Sequence, residues 1–144
     1  MSKPRVDKRI EETLTFCLLI AVNRIVQPFQ ESFGKPHDLT LPEWRCMMAL
    51  ASHPGSSGEE VAQRMAMDKM AVSRSLRRLE QSARVHREPD PANARRNSWE
   101  LTPQGWEVFD EILPAALERD RRAFAAMPKH EKARMMALLR ELEF

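Results

Sequence analysis

"DKMAVSRSLRRLE", Asp68 to Glu80, is the stretch on which the reading of this chain turns. Val72, Leu76 and Leu79 fall at i, i+4 and i+7 and form one apolar stripe, with Lys69, Arg74, Arg77 and Arg78 lying off it. Asp68 is a candidate N-cap. Those cations either keep an amphipathic helix in water or face a polyanion, and the neighbouring sequence bears on the choice. Immediately before it, Ser57 and Glu60 stand at capping-box spacing and predict a helix over about 58–65, with Val61, Ala62 and Met65 inward. Two short helices joined by so brief a turn match a helix-turn-helix.

The stretch that follows, "VHREPDPANARRNSWELT", changes character. Val85 and Arg87 at one end and Ser98 to Leu101 at the other predict two paired strands around the turn-rich "PDPANA". A hairpin directly after a helix-turn-helix is a wing. Upstream, Thr40 and Glu43 form another capping box, which opens a helix over about 41–52 with Trp44, Met47, Met48 and Ala51 as its apolar stripe.

Long apolar helices flank this centre. Leu14, Cys17, Leu18, Ala21, Ile25 and Phe29 predict a first helix over about 7–33, kinked or ended early by Pro28. Thr102 and Pro103 open a helix of about 103–126 with Trp106, Phe109, Leu113, Leu117 and Phe124 apolar, and Pro114 is expected to bend it. A last helix follows Pro128 and carries Met135, Met136, Leu139 and Leu142. The terminal helices hold more apolar surface than one small core needs, and a two-fold dimer is the expected outlet. The fold expected is mainly α with a small β-hairpin wing. It is one domain over 1–144, with a winged helix-turn-helix lobe at about 41–101 flanked by dimerisation helices at about 1–34 and 103–144.

Composition sets the outer limits. The chain has 144 residues, 42% of them hydrophobic and 31% charged, the balance of a soluble globular domain. No signal peptide is evident, and Phe16 to Val22 is far too short to span a bilayer, so no membrane partner is expected. Cys17 and Cys46 are the only cysteines and make no disulfide framework, which points to the cytoplasm. Net charge is only +2, but eight basic residues (Lys69, Arg74, Arg77, Arg78, Arg84, Arg87, Arg95 and Arg96) stand between 69 and 96 against Glu80, Glu88 and Asp90. That local excess sits in a chain whose remainder is slightly acidic, as expected of a phosphate-binding face. A solvated helix face is the competing account.

Enzyme chemistry finds no footing. "HEKAR" at 130–134 begins like a zinc-protease motif but has Arg134 where a second histidine would ligate. His37, His53, His86 and His130 are scattered, and the four glycines form no phosphate loop. No catalytic residue, metal site or cofactor is assigned.

"LTLPEWRCMMAL", "GSSGEEVAQRMAMDKMAVSRSLRRLEQSARVHR", "DPANARR" and "LTPQGWEVFDEI" together resemble the MarR family of winged-helix transcription regulators. The resemblance covers nearly the whole chain in the expected order. It implies a homodimeric repressor on a roughly palindromic double-stranded operator, released by a small phenolic or other aromatic effector. Some members respond to oxidants instead. Two positions depart from the family pattern. Ala83 and Arg84 stand where a glycine usually ends the second helix, and Asn93-Ala94-Arg95 replaces Asp-x-Arg in the wing.

On that reading Lys69, Met70, Ser73, Arg74 and Arg77 project from the recognition helix. Arg74 offers paired donors to guanine, and Ser73 a contact to base or phosphate. Lys69, Arg77 and Arg78 are expected at phosphates, as are Ser56 and Ser57 at the opening of the preceding helix. Arg95 is expected to probe the minor groove, with Arg87 and Arg96 on the backbone. For Arg78 and Arg84 the solvated-face account weighs equally. Family resemblance also implies an effector cleft reached by Cys17, Asn23, Trp44, Met47 and Met48. For Trp44 and the methionines, core packing is the competing account. Cys17 lies one residue out of register with the reactive cysteine of the hydroperoxide-sensing branch. "TLTFCLLI" has no cation to activate a thiol, so a buried, inert Cys17 is expected. A thiol-based oxidant-responsive regulator and a winged helix that binds protein rather than DNA are the alternatives.

Overall fold

The computed structural model describes residues 7–142. The chain divides into two compact units, Pro28–Leu113 and a second made of Met1–Gln27 with Pro114–Phe144. The order of elements is α1 (Leu14–Val26), a π-helical turn (Gln30–Gly34), α2 (Lys35–His37), α3 (Leu41–Ser52), α4 (Gly58–Arg64), α5 (Lys69–Gln81), β1 (Val85–Asp90), β2 (Asn93–Leu101), α6 (Pro103–Ala123) and α7 (Lys129–Arg140). It is the mainly helical winged fold expected, with a single two-stranded antiparallel sheet among the described residues.

In Pro28–Leu113 the caps do what their spacing predicts. The Thr40 hydroxyl accepts from the Glu43 N–H at 3.4 Å, and the Glu43 carboxylate accepts from the Thr40 N–H at 2.7 Å. Ser57 and Glu60 repeat that exchange at the head of α4, at 3.2 and 2.7 Å. Asp68 accepts from the Ala71 N–H at 2.9 Å and starts α5. Each cap satisfies donors that a helix start leaves without intrahelical partners. Behind them the core closes on Leu39, Met47, Leu50, Val61, Val72, Leu76, Leu79, Val85 and Ile112, each no more than 2% exposed. An aromatic run crosses it: Phe33 to Phe29 (5.8 Å between ring centroids), Phe29 to Trp44 (6.4 Å), Trp44 to Phe109 (5.1 Å) and Phe109 to Trp106 (5.6 Å).

Both helices of the helix-turn-helix end the same way. After α4, Ala66 is left-handed (φ +49°), with Ala66 N–H on Gln63 C=O and Met67 N–H on Ala62 C=O. After α5, Ala83 is left-handed (φ +56°), with Ala83 N–H on Glu80 C=O and Arg84 N–H on Leu79 C=O. These are paired Schellman closures with alanine at the position that normally selects glycine. The departure noted at Ala83 therefore leaves the backbone turn intact and puts the cost on the alanine Cβ. Next to it, a Cβ on Gly105 would stand 1.9 Å from the Arg84 carbonyl oxygen, so glycine is required there for α6 to begin against the end of α5. Thr102 completes the junction, donating its hydroxyl to Ala83 C=O and accepting from the Gly105 N–H.

Several boundaries move. The first helix starts at Leu14, capped by Thr13, and stops at Val26 rather than running over 7–33. Of the two outcomes expected at Pro28, the structure takes the early end. The strands extend to Asp90 and from Asn93, so the turn shrinks to Pro91 and Ala92, closed by Asp90 accepting from the Ala92 N–H. Ser56 adds a bridge to Trp99 on the other edge of β2, through Trp99 N–H to Ser56 C=O (2.9 Å) and Gly55 N–H to Trp99 C=O (3.0 Å). In the second unit, neither α1 nor α7 buries a residue. Leu14, Leu19, Val22, Leu117, Leu138 and Leu139 all lie open. Cys17, expected to be buried, is exposed: among the described residues nothing covers its face of α1.

Candidate nucleic-acid interface

α5 packs against α3, α4 and β1 through Val72, Ser75, Leu76 and Leu79. The residues left outside follow from 3.6-residue periodicity: Met70, Ser73, Arg74 and Arg77 fall at i, i+3, i+4 and i+7 on one stripe. Met70, Arg74 and Arg77 are exposed and Ser73 half-buried. Between this helix, the start of α4 and the wing runs a groove of about 390 Å³ lined by Ser57, Lys69, Ser73, Arg77, Arg87, Arg96 and Trp99, among others. It gathers four of the expected cations beside the helix start.

The cations are of two kinds. Lys69, Arg78, Arg87 and Arg96 each have an internal partner. Lys69 Nζ is 2.7 Å from Glu59, and that hydrogen bond holds the Glu59 carboxyl below its usual range. Arg87 Nε is 3.0 Å from Glu80, and its guanidinium also lies over Trp99. Arg96 donates to the Ser57 hydroxyl at 2.7 Å and stands 3.9 Å from Glu60. Arg78 Nε is 3.1 Å from Glu43, whose carboxylate is buried and also accepts from the Thr40 hydroxyl. Arg74, Arg77 and Arg95, by contrast, make no ion pair among the described residues.

Arg78 therefore ties α5 to the start of α3, a role its expected phosphate contact did not include. Arg84, the other even case, turns inward. Its guanidinium donates to the backbone carbonyls of His37 and Asp38, fastening the end of α5 to the loop before α3. Ser56 and Ser57 are both buried. Ser56 donates its hydroxyl to His53 C=O at 2.8 Å, while Ser57 is the α4 cap that also holds Arg96. In the wing, Asn93 accepts from the Arg95 N–H at 3.1 Å, so it orients the backbone of Arg95 without a charge.

The five residues expected around an effector do not gather in either unit. Trp44 (4% exposed) and Met47 (0%) are core, the first inside the aromatic run and the second wholly enclosed. Met48, also on α3, is half-buried, while Cys17 and Asn23 lie exposed on α1 in the other unit. Cys46 is buried beside Ser75, and burial pushes its thiol up to about 12. The structural contributions of Glu43, Gly105 and Trp99 were missed as site determinants. Glu43 had shown itself only as a capping residue, and Trp99 only as part of a strand.

A helix-turn-helix followed by a two-stranded wing, with arginines on the outer face of its second helix that make no ion pair among the described residues, is the architecture of the winged-helix DNA-binding class. Residues 37–96 match the model of the MarR family. The chain is 26% identical over 125 residues to the HTH-type transcriptional repressor Rv2887 of Mycobacterium tuberculosis, covering 87% of this chain and 90% of that protein. It superposes on the crystal structure of MarR with a TM-score of 0.76 and 28% identity, over 95% of this chain and 91% of that one. A structure of Bordetella bronchiseptica BpsR, described with regulation of its DNA binding by 6-hydroxynicotinic acid, matches with a TM-score of 0.78 and 25% identity over 96% of each chain. Over residues 37–96 the chain is thus similar to the MarR family, and the relative it matches along most of its length is named a transcriptional repressor.

Proposed function

We propose that the protein is a homodimeric repressor that binds a roughly palindromic double-stranded operator in the cytoplasm and releases it on binding a small aromatic acid. The observation that carries the DNA reading is the outward stripe Ser73, Arg74 and Arg77 on α5, whose arginines have no carboxylate partner among the described residues. Arg74, one turn into the helix, is placed to offer two parallel donors to a guanine edge. Lys69, Arg77, Arg87 and Arg96, around the groove, meet phosphates, with Ser57 behind them. Arg95, exposed on β2 near the turn, enters the minor groove. Dimerisation is supported by the open apolar faces of α1 and α7, which water does not favour. The effector class is supported by the 6-hydroxynicotinic acid named for BpsR, a relative of the same fold.

Fluorescence anisotropy on a duplex selected from a randomised pool tests the DNA reading. Affinity is expected to fall steeply with salt, and Arg74→Ala to relax the preference at one base pair per half-site, by about 1–3 kcal/mol. Arg95→Ala is expected to weaken binding most where the flanks are A·T-rich. Selection that enriches no sequence, with no salt-dependent binding to any duplex, sinks the reading in favour of a protein-binding winged helix. A thermal-shift screen of benzoic and pyridine carboxylic acids tests the effector. Sedimentation at micromolar concentration tests the dimer.

A further inference from the structure

We infer that Met70 selects thymine in the operator by contacting its C5 methyl group, an assignment that rests on the DNA reading above. Met70 is 63% exposed in the first turn of α5. Within Pro28–Leu113 only one other large apolar side chain among the described residues is so classed, Trp106 at 38%, and that ring packs edge-on against Phe109. Met70 is thus the one large apolar group of this unit that the chain's own packing leaves without a use. It shares its stripe with Ser73, Arg74 and Arg77, of which Arg74 is the one placed toward a base edge, and it lies at the N-terminal end of the helix, which enters the major groove deepest.

The chemistry of that groove leaves one partner for it. Methionine has no donor and only a weak sulfur acceptor. Of the groups on the major-groove edge, guanine, adenine and cytosine present polar donors and acceptors, and thymine alone adds a methyl. A thioether laid against a polar edge would strip water from groups it cannot satisfy. Against the methyl it removes apolar surface from water on both sides, and an unbranched, polarisable chain adapts to the contact. Met70 lies four residues before Arg74, about 6 Å along the helix. The thymine is therefore expected within about two base steps of the pair that Arg74 reads.

Replacing single thymines by uracil in the selected duplex tests this, because the change removes the methyl and nothing else. In the wild-type protein one thymine per half-site is expected to matter, each methyl contributing about four-fold in affinity. Met70→Ala is expected to bind uracil and thymine duplexes alike, and Met70→Leu to restore the difference. At the same position, 5-methylcytosine is expected to bind more tightly than cytosine by a similar factor. Because Met70 is exposed, these variants keep their fold, and their unfolding midpoints serve as the check. Loss of affinity for uracil that persists in Met70→Ala, or no thymine sensitive to the change in a duplex the wild type binds, overturns the assignment while leaving DNA binding standing. Absence of salt-dependent binding to any duplex overturns both.

Discussion

Ala83→Gly is expected to stabilise the protein, against the usual rule that glycine weakens a helix. Ala83 is exposed, sits at φ +56°, and contributes no buried contact that the substitution would remove. The left-handed conformation costs an L-residue about 1–2 kcal/mol through its Cβ. Glycine removes that cost but returns about 0.4–1 kcal/mol by loosening the unfolded chain. The net gain is about 0.5–1 kcal/mol, and the two Schellman hydrogen bonds of Ala83 and Arg84 survive because both are made by backbone groups. Ala66, exposed at φ +49°, predicts a gain of the same size. α5 separates the two sites by 13 residues, about 20 Å, so the double variant should sum to about 1–2 kcal/mol. Urea unfolding at fixed protomer concentration is the assay, since a dimer's midpoint moves with concentration. The midpoint should rise with the slope unchanged. Ala71→Gly, inside α5, supplies the control of opposite sign and should cost about 1 kcal/mol. A midpoint for Ala83→Gly that stays put or falls, with Ala71→Gly behaving as stated, would refute the claim that the helix-turn-helix stores backbone cost at its two closures.

Gly105→Ala should do the reverse, because its Cβ meets a backbone carbonyl that cannot rotate away; a loss of about 1–3 kcal/mol in the same assay is expected. Arg78→Ala and Arg74→Ala should separate. The first strips a partner from the buried Glu43 and should lower stability by about 1–2 kcal/mol, discounted because Arg78 is itself 54% exposed. The second should leave the unfolding midpoint unchanged and act only on DNA. Cys46 gives a pH signature: its thiol is raised from 9.0 to about 12, so the folded state holds its proton where the unfolded chain has lost it. Stability tied to that proton is fully present below about 9 and is lost as pH rises toward about 12, and Cys46→Ala should flatten that alkaline decline. At neutral pH an alkylating reagent should leave Cys46 unmodified until the protein unfolds.

What could be read in the chain beforehand was whatever depends on near neighbours. Thr40 with Glu43, Ser57 with Glu60, and Asp68 act over three residues, and the stripe of Val72, Leu76 and Leu79 over seven, so spacing alone located α3, α4 and α5. The end of α1 was harder. Pro28 announces an interruption but does not say whether a helix bends or stops, and here the chain resumes as a π-turn that ends where Leu39 N–H meets Gly34 C=O (2.8 Å) across a left-handed Asp38, a closure with no glycine at the left-handed position to mark it. The aromatic run joins Phe29, Trp44 and Phe109, which are far apart in sequence, so Trp44 offered no local sign that it belonged to the core rather than to a pocket. Cys17 misled for the opposite reason. Its apolar neighbours suggest burial, but the surface that would cover them is not supplied by the described residues of this chain.

Charge shows most clearly why counting differs from reading. Eight basic residues between 69 and 96 look equivalent in a sequence. In the fold, carboxylates from α3, α4 and α5 divide them. Lys69, Arg78, Arg87 and Arg96 are matched to Glu59, Glu43, Glu80 and Glu60, while Arg84 is spent on backbone carbonyls. A phosphate that takes Lys69 or Arg87 must displace an existing carboxylate, and an exchange of one anion for another gains less than filling a vacant cation does. Arg74, Arg77 and Arg95 face no such competition among the described residues. On the proposed DNA reading, non-specific attraction, which scales with every cation near the backbone, is thereby reduced, while the contacts proposed for Arg74 at a base edge and Arg95 in the minor groove keep their full strength. The acidic side chains set among the arginines would then favour sequence discrimination over bare affinity. It follows that neutralising Glu59 and Glu80 together should raise binding to random duplex more than binding to the selected one.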